Sequence, residues 1–87
     1  MNARATMQPM TARERIAINL KRLRNDRGLS QEKMAELADF HRTYVSQLER
    51  CVTNISVDGL ERFARALGVD VVDLLVAPVG IPAYRDQ

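Results

Sequence analysis

Apolar residues recur at helical spacing along most of this chain, and nowhere do they alternate in the two-residue period of a strand. Thr11 and Glu14 form an S/T-x-x-E capping box, after which Ile16, Leu20 and Leu23 return at i, i+4 and i+7; this predicts a first helix with one apolar stripe. Gly28 ends it, because glycine takes a left-handed backbone without a Cβ clash, and Leu29 can fold back on the last turn. Ser30 then caps a second helix whose inner face is read as Met34, Leu37 and Ala38. Asp39 and Phe40 make a turn, and a third helix over His41 to Arg50 turns Val45 and Leu48 inward, leaving Arg42, Thr43, Ser46 and Gln47 outward. Cys51 to Ile55 follow no apolar period and read as a loop. Ser56 caps a fourth helix carrying Leu60, Phe63, Ala64 and Leu67 up to Gly68. Asp70 and Asp73 open a short fifth helix expected to run through Val76, and Pro78, Gly80 and Pro82 forbid its extension.

The pattern predicts a compact all-α domain of five helices over residues 11–77, between an N-terminal tail, 1–10, and a C-terminal tail, 78–87. At 87 residues, 46% of them hydrophobic, there is room for one small core, so pairing with a second copy is an expected source of further burial. Charge is uneven along the chain. Residues 1–27 carry seven cations against two carboxylates, a net +5, whereas residues 28–56 come to −1, residues 57–76 to −2 and the tail to zero. A basic half of this kind suits a polyanion, although a solvated basic helix face has the same composition; Lys21, Arg22, Arg27 and Arg50 are candidates for sequence-independent phosphate attraction, with Arg4 a further one on the tail.

Several chemistries find no footing. The single cysteine, Cys51, allows no intrachain disulfide, and with one histidine it falls short of a structural zinc site. His41 and Cys51 would stand about 15 Å apart on opposite ends of a helix, too far for a nucleophile and its base. A glycine-rich phosphate loop and a paired-carboxylate site are also missing. The expectation is therefore no catalysis, no cofactor, no metal and no small-molecule substrate. MNARATMQPM lacks the apolar run of a signal peptide, and Val69 to Ala77 is interrupted by Asp70 and Asp73; a cytoplasmic protein without membrane association is expected.

Two helices of about eight residues joined by a tight turn form a helix-turn-helix, in which the second helix enters the DNA major groove. The strings Leu29-Ser30-Gln31, Met34-Ala35-Glu36-Leu37-Ala38, His41-Arg42-Thr43-Tyr44-Val45-Ser46, Leu48-Glu49-Arg50, Asn54-Ile55-Ser56 and Ala66-Leu67-Gly68-Val69 give this spacing a more specific content. Over roughly Arg13 to Leu75 the chain resembles the phage repressor and Cro family of helix-turn-helix regulators, including small bacterial members such as restriction-modification controller proteins. The resemblance implies a lambda-repressor-like five-helix domain that binds double-stranded operators as a homodimer. It implies base reading by Arg42, Thr43, Ser46 and Gln47, and phosphate contacts from Gln31 and Asn54. Physical chemistry agrees in part: the Arg42 fork fits guanine O6 and N7, and Gln47 could do the same for adenine. Gln31 begins a helix whose free amides and positive dipole end suit an anion. Tyr44 divides between packing beside the turn and offering its hydroxyl to a phosphate. Arg24 and Glu49 match the family's pair tying helix 1 to the end of helix 3.

The chain departs from the family at two positions where glycine is frequent, Asp39 and Cys51. Aspartate tolerates a left-handed backbone, but Cys51 would lose roughly 1–2 kcal/mol there, so the exit from helix 3 is expected to differ and the placement of Asn54 with it. Val71, Val72, Leu75 and Val76, with Val79 and Ile81 as further candidates, exceed what one short helix buries and are expected at a dimer interface, the plainer alternative being that they complete the core. The rival function is a protein-interaction module, such as an antitoxin, on the same fold.

Overall fold

The computed structural model describes residues 10–78. Four α-helices follow in order, α1 (Ala12–Asp26), α2 (Gln31–Ala38), α3 (Arg42–Glu49) and α4 (Val57–Leu67), and a 3-10 helix over Val71–Leu74 closes the chain. α2 packs on α3 and α4, while α1 lies against α3, α4 and the 3-10 helix. Leu20, Met34, Val45, Leu48, Phe63 and Leu74 meet at the centre, essentially without solvent contact. All but Leu74, which stands in the 3-10 helix and has no place in the sequence pattern, are positions that a 3.6-residue period places on one face of each helix. Both proposed tails, together with Arg4, Val79 and Ile81, lie outside or at the edge of the described residues.

Helix starts obey local chemistry. Thr11 and Glu14 form the reciprocal capping box, and Ser30 and Ser56 accept the amides of Lys33 and Gly59, each at 2.9 Å. Helix ends share one device. In all four α-helices the chain turns through a left-handed residue, Gly28, Asp39, Cys51 or Gly68, with paired amide bonds back to the last turn. For α3 these are Cys51 N–H to Leu48 O and Val52 N–H to Gln47 O, both at 3.0 Å. Cys51 has φ +63°, so the expectation that a cysteine would force a different exit is corrected: two hydrogen bonds and the buried Leu48 hold it in the conformation that glycine usually supplies.

Two further expectations change. Leu37 is 48% exposed; α2 instead buries Met34, Ala35 and Ala38. The inner arc is centred between Met34 and Ala35, with Gln31 half-buried on the same side, and Leu37 falls on its flank. The fifth element is one 3-10 turn rather than a helix through Val76. Its last carbonyl and the two that follow are taken by α1: Asn19 Nδ2, fully buried, donates to Leu74 O at 3.1 Å and Val76 O at 2.9 Å, and Arg15 Nη1 donates to Leu75 O at 3.2 Å. With those acceptors satisfied by side chains, further helical turns gain nothing.

Candidate nucleic-acid interface

α3 carries the candidate surface because its two faces are sharply divided. Val45 and Leu48 are buried, Arg42 and Thr43 are exposed, and Ser46 and Gln47 are half-buried along the same outward side. His41 is the N-cap but makes no side-chain cap bond, so the first amides of α3 are left to an outside acceptor.

The start of α3 is fixed by aromatic packing. The Phe40 ring stacks on Phe63 with centroids 4.8 Å apart and tilts against Tyr44 at 5.0 Å. The Arg62 guanidinium lies 3.8 Å over Phe40 and donates to the carbonyls of Ala38, at 3.1 Å, and Asp39, a cation placed on the C-terminal end of α2. Gly59 makes room for this stack: a Cβ there would stand 3.3 Å from the Phe40 ring and 3.1 Å from Ile55.

The other end of α3 is fixed by charge. Arg24 Nε and Nη2 meet Glu49 Oε2 and Oε1 at 2.7 and 2.9 Å, a bidentate pair, and Arg24 Nη1 donates to Leu29 O at 2.7 Å. The Glu49 side chain is only 3% exposed. Its hydrogen bonds hold the Arg24 guanidinium above the ordinary arginine value, against the opposing effect of burial. Gln31 joins this group by donating to Glu49 Oε1 at 3.0 Å, which ties α2 to the end of α3 and leaves one amide hydrogen of Gln31 for an external acceptor. Ser30 takes the Lys33 amide, so the Gln31 and Glu32 amides have no intrahelical partner.

Tyr44 and Asn54 lie together. The Tyr44 hydroxyl donates to the Asn54 carbonyl at 2.7 Å, and burial pushes the phenol above its usual value while nearby Arg62 pulls the other way. Asn54 Oδ1 in turn accepts from Arg13 Nη2 on α1. Arg13 was not among the sequence candidates, and 41 residues of separation leave no local pattern that would reveal it. Asn19 did leave a signal, a polar residue on the apolar stripe of α1 between Ile16 and Leu23.

The basic N-terminal half proves to be largely engaged within the fold. Arg27 donates to Leu67 O and Leu23 O, and Arg22 donates to Asn19 Oδ1 and approaches Asp26 at 3.9 Å. Of the sequence-predicted interface residues, Val72 is 56% and Val76 38% exposed, whereas Val71 and Leu75 pack partly against the core. Among the described residues no group of three or more His, Cys, Asp or Glu side chains could hold a metal ion, and no helix is long and apolar enough to cross a membrane.

A short helix clamped across the start of an outward-facing one defines a helix-turn-helix domain. The family described as Helix-turn-helix (HTH_3) matches residues 20–74, and the chain belongs to it. The control protein C.BamHI of Bacillus amyloliquefaciens is 51% identical over 47 residues, covering 54% of this chain and 58% of that protein. A hypothetical transcription factor from Neisseria superposes with a TM-score of 0.76 at 40% identity, covering 78% of each chain. The restriction-modification controller C.Esp1396I, solved as a tetramer with its natural 35-base-pair operator, gives a TM-score of 0.67 at 28% identity over 72% of this chain and 83% of its own. This chain spans 58% and 59% of the lengths of two of its curated relatives, C.BamHI and a Neisseria meningitidis transcription factor.

Proposed function

We propose that this protein is a sequence-specific regulator of transcription that binds double-stranded DNA as a homodimer on an inverted-repeat operator. One observation carries the reading: α3 is anchored at both ends and buried along one face, while its outward side holds Arg42, Thr43, Ser46 and Gln47, a set of donors, acceptors and one methyl suited to base edges. Residues 11–77 are the DNA-binding unit. Arg42 reads guanine, Gln47 reads adenine, and Gln31 with the first amides of α2 grips a phosphate. Val72 and Val76 supply exposed apolar surface for the dimer contact, with Val71 and Leu75 behind them. The role needs neither catalysis nor a cofactor and places the protein in the cytoplasm on DNA. Its relatives support it, since the C.Esp1396I controller was solved on its operator.

Selection of bound sequences from a random duplex pool tests the proposal. The expected product is an inverted repeat with half-sites about 34 Å apart, one duplex turn. Arg42→Ala should relax selection at one guanine per half-site, with about a tenfold loss on the wild-type repeat. Recovery of no inverted repeat, or of the same repeat with equal affinity by Arg42→Ala, would overturn the reading.

A further inference from the structure

Asn54 accepts two hydrogen bonds from distant parts of the chain, and both constrain what the loop after α3 can offer to DNA. The Tyr44 hydroxyl has one proton, and it is spent on the Asn54 carbonyl at 2.7 Å. While that bond stands, Tyr44 has no donor for a phosphate. The Arg13 bond to Asn54 Oδ1 fixes which end of the side-chain amide is free: the oxygen faces α1, and Nδ2 with its two hydrogens faces away. Arg13 itself is exposed and makes no ion pair among the described residues, unlike Arg22, Arg24, Lys33 and Arg62. Glu14, its acidic neighbour in sequence, is turned back onto the Thr11 amide at 2.8 Å. Arg13 and Asn54 line one recess of about 240 Å³, together with Thr53 and the apolar Ile16, Leu48 and Ile55.

We propose that Arg13 is a DNA-phosphate ligand which, together with the Asn54 amide it orients, forms a second backbone clamp on the exit side of α3. The proposal rests on the DNA-binding reading and deepens it. Gln31 and the α2 amides grip the sugar-phosphate chain beside the start of the helix-turn-helix, and the Arg13–Asn54 pair grips it beside the loop that leaves α3. Arg13 has five donors in a planar fork, one of which holds Asn54, so a phosphodiester can take others bidentately without breaking the loop contact. Such a contact carries no sequence information. It sets the register in which Arg42 and Gln47 meet the bases.

Phosphate contact and loop positioning separate in a salt titration. The probe is a mixed-sequence 30-base-pair duplex, because counterion release does not depend on sequence. Arg13→Ala should bind about tenfold more weakly per protomer at roughly 50 mM salt, and the slope of log K against log[salt] should become shallower by about 0.9 per protomer, which narrows the gap about threefold per protomer by roughly 200 mM. Arg13→Lys should restore the slope, whereas Arg13→Gln, able to hold Asn54 without charge, should not. Thermal melting of each variant monitors folding. Weakened binding with an unchanged slope would reduce Arg13 to a loop-positioning residue and overturn the clamp, as would unchanged affinity in Arg13→Ala. Failure of the unaltered protein to bind any duplex is a different result: it overturns the DNA reading, and the clamp with it.

Discussion

The turn that leads into α3 and the loop that leaves it begin with the same backbone device and are then held by opposite kinds of force. Asp39 and Cys51 both sit in the left-handed region, at φ +62° and +63°, and both return amides to the preceding helix. After Asp39 comes Phe40, packed between Phe63 and Tyr44 under the Arg62 guanidinium. After Cys51 comes Val52, 59% exposed, and a loop tied down through Asn54 by Arg13 and Tyr44. Apolar packing around the start fixes the direction of α3 where Arg42 emerges, two residues beyond Phe40. Exposed hydrogen bonds around the exit exchange readily with water, so the loop can adjust to a phosphate while the helix does not turn.

One contact on the exit side departs from this pattern, and its loss should have the largest effect. Glu49, at the end of α3, is buried and paired with Arg24, so the exit side owes its rigidity to one charge pair rather than to the loop beyond it. Glu49→Ala leaves the nearly buried Arg24 guanidinium unpaired and frees Gln31, and should cost roughly 3–5 kcal/mol of folding stability, a large part of what a small domain has. Urea unfolding measures it; a loss below about 1 kcal/mol would mean that Arg24 finds water and that the pair does not anchor α3.

Phe40→Ala tests the other side. Removing the half-buried ring should cost roughly 2–3 kcal/mol, less than for a fully buried phenylalanine, and should leave Arg62 stacked on nothing. If packing at the start aims α3, DNA affinity in this variant should fall even at temperatures where the protein remains folded. Unchanged affinity in a destabilised but folded variant would break the assignment of direction to the aromatic stack.

The two sides also differ in how far the sequence reveals them. Caps and left-handed ends are local, so Thr11, Ser30 and Ser56 at the starts and Gly28, Asp39 and Gly68 at the ends mark every α-helix boundary except those of α3, where His41 caps without its side chain. The four outward positions of α3 follow from Val45 and Leu48 by period alone. Period does not centre an apolar arc to better than one residue on an eight-residue helix, which is why Leu37 reads as core and Ala35 does not. The residues that hold the site together are remote in sequence: Arg62 reaches Asp39 across 23 residues, Arg24 reaches Glu49 across 25, and Arg13 reaches Asn54 across 41. Arg24 and Glu49 are legible through family resemblance; Arg13 and Arg62 have no such guide. The same limit explains the charge asymmetry of residues 1–27, which suggests a polyanion-facing half although Arg15, Arg22, Arg24 and Arg27 bond to groups within the fold.

The smallest effect separates the two left-handed residues themselves. A left-handed residue with a Cβ loses roughly 1–2 kcal/mol, while glycine adds unfolded-state entropy of roughly 0.5–1 kcal/mol, so Cys51→Gly should stabilise the fold by a net of about 0.5–1 kcal/mol. Asp39→Gly should gain less, because aspartate is among the residues that visit this region routinely; the carboxylate it removes, 3.9 Å from Arg62, is too exposed to change the balance. Urea midpoints of the two variants against the unaltered protein decide the order. A larger gain for Cys51→Gly locates stored backbone strain on the exit side, where the loop is held most lightly; equal gains would mean that the Cys51 and Val52 amide bonds relieve the strain as fully as packing does at Asp39, and the contrast between the two ends of α3 would then lie in side chains alone.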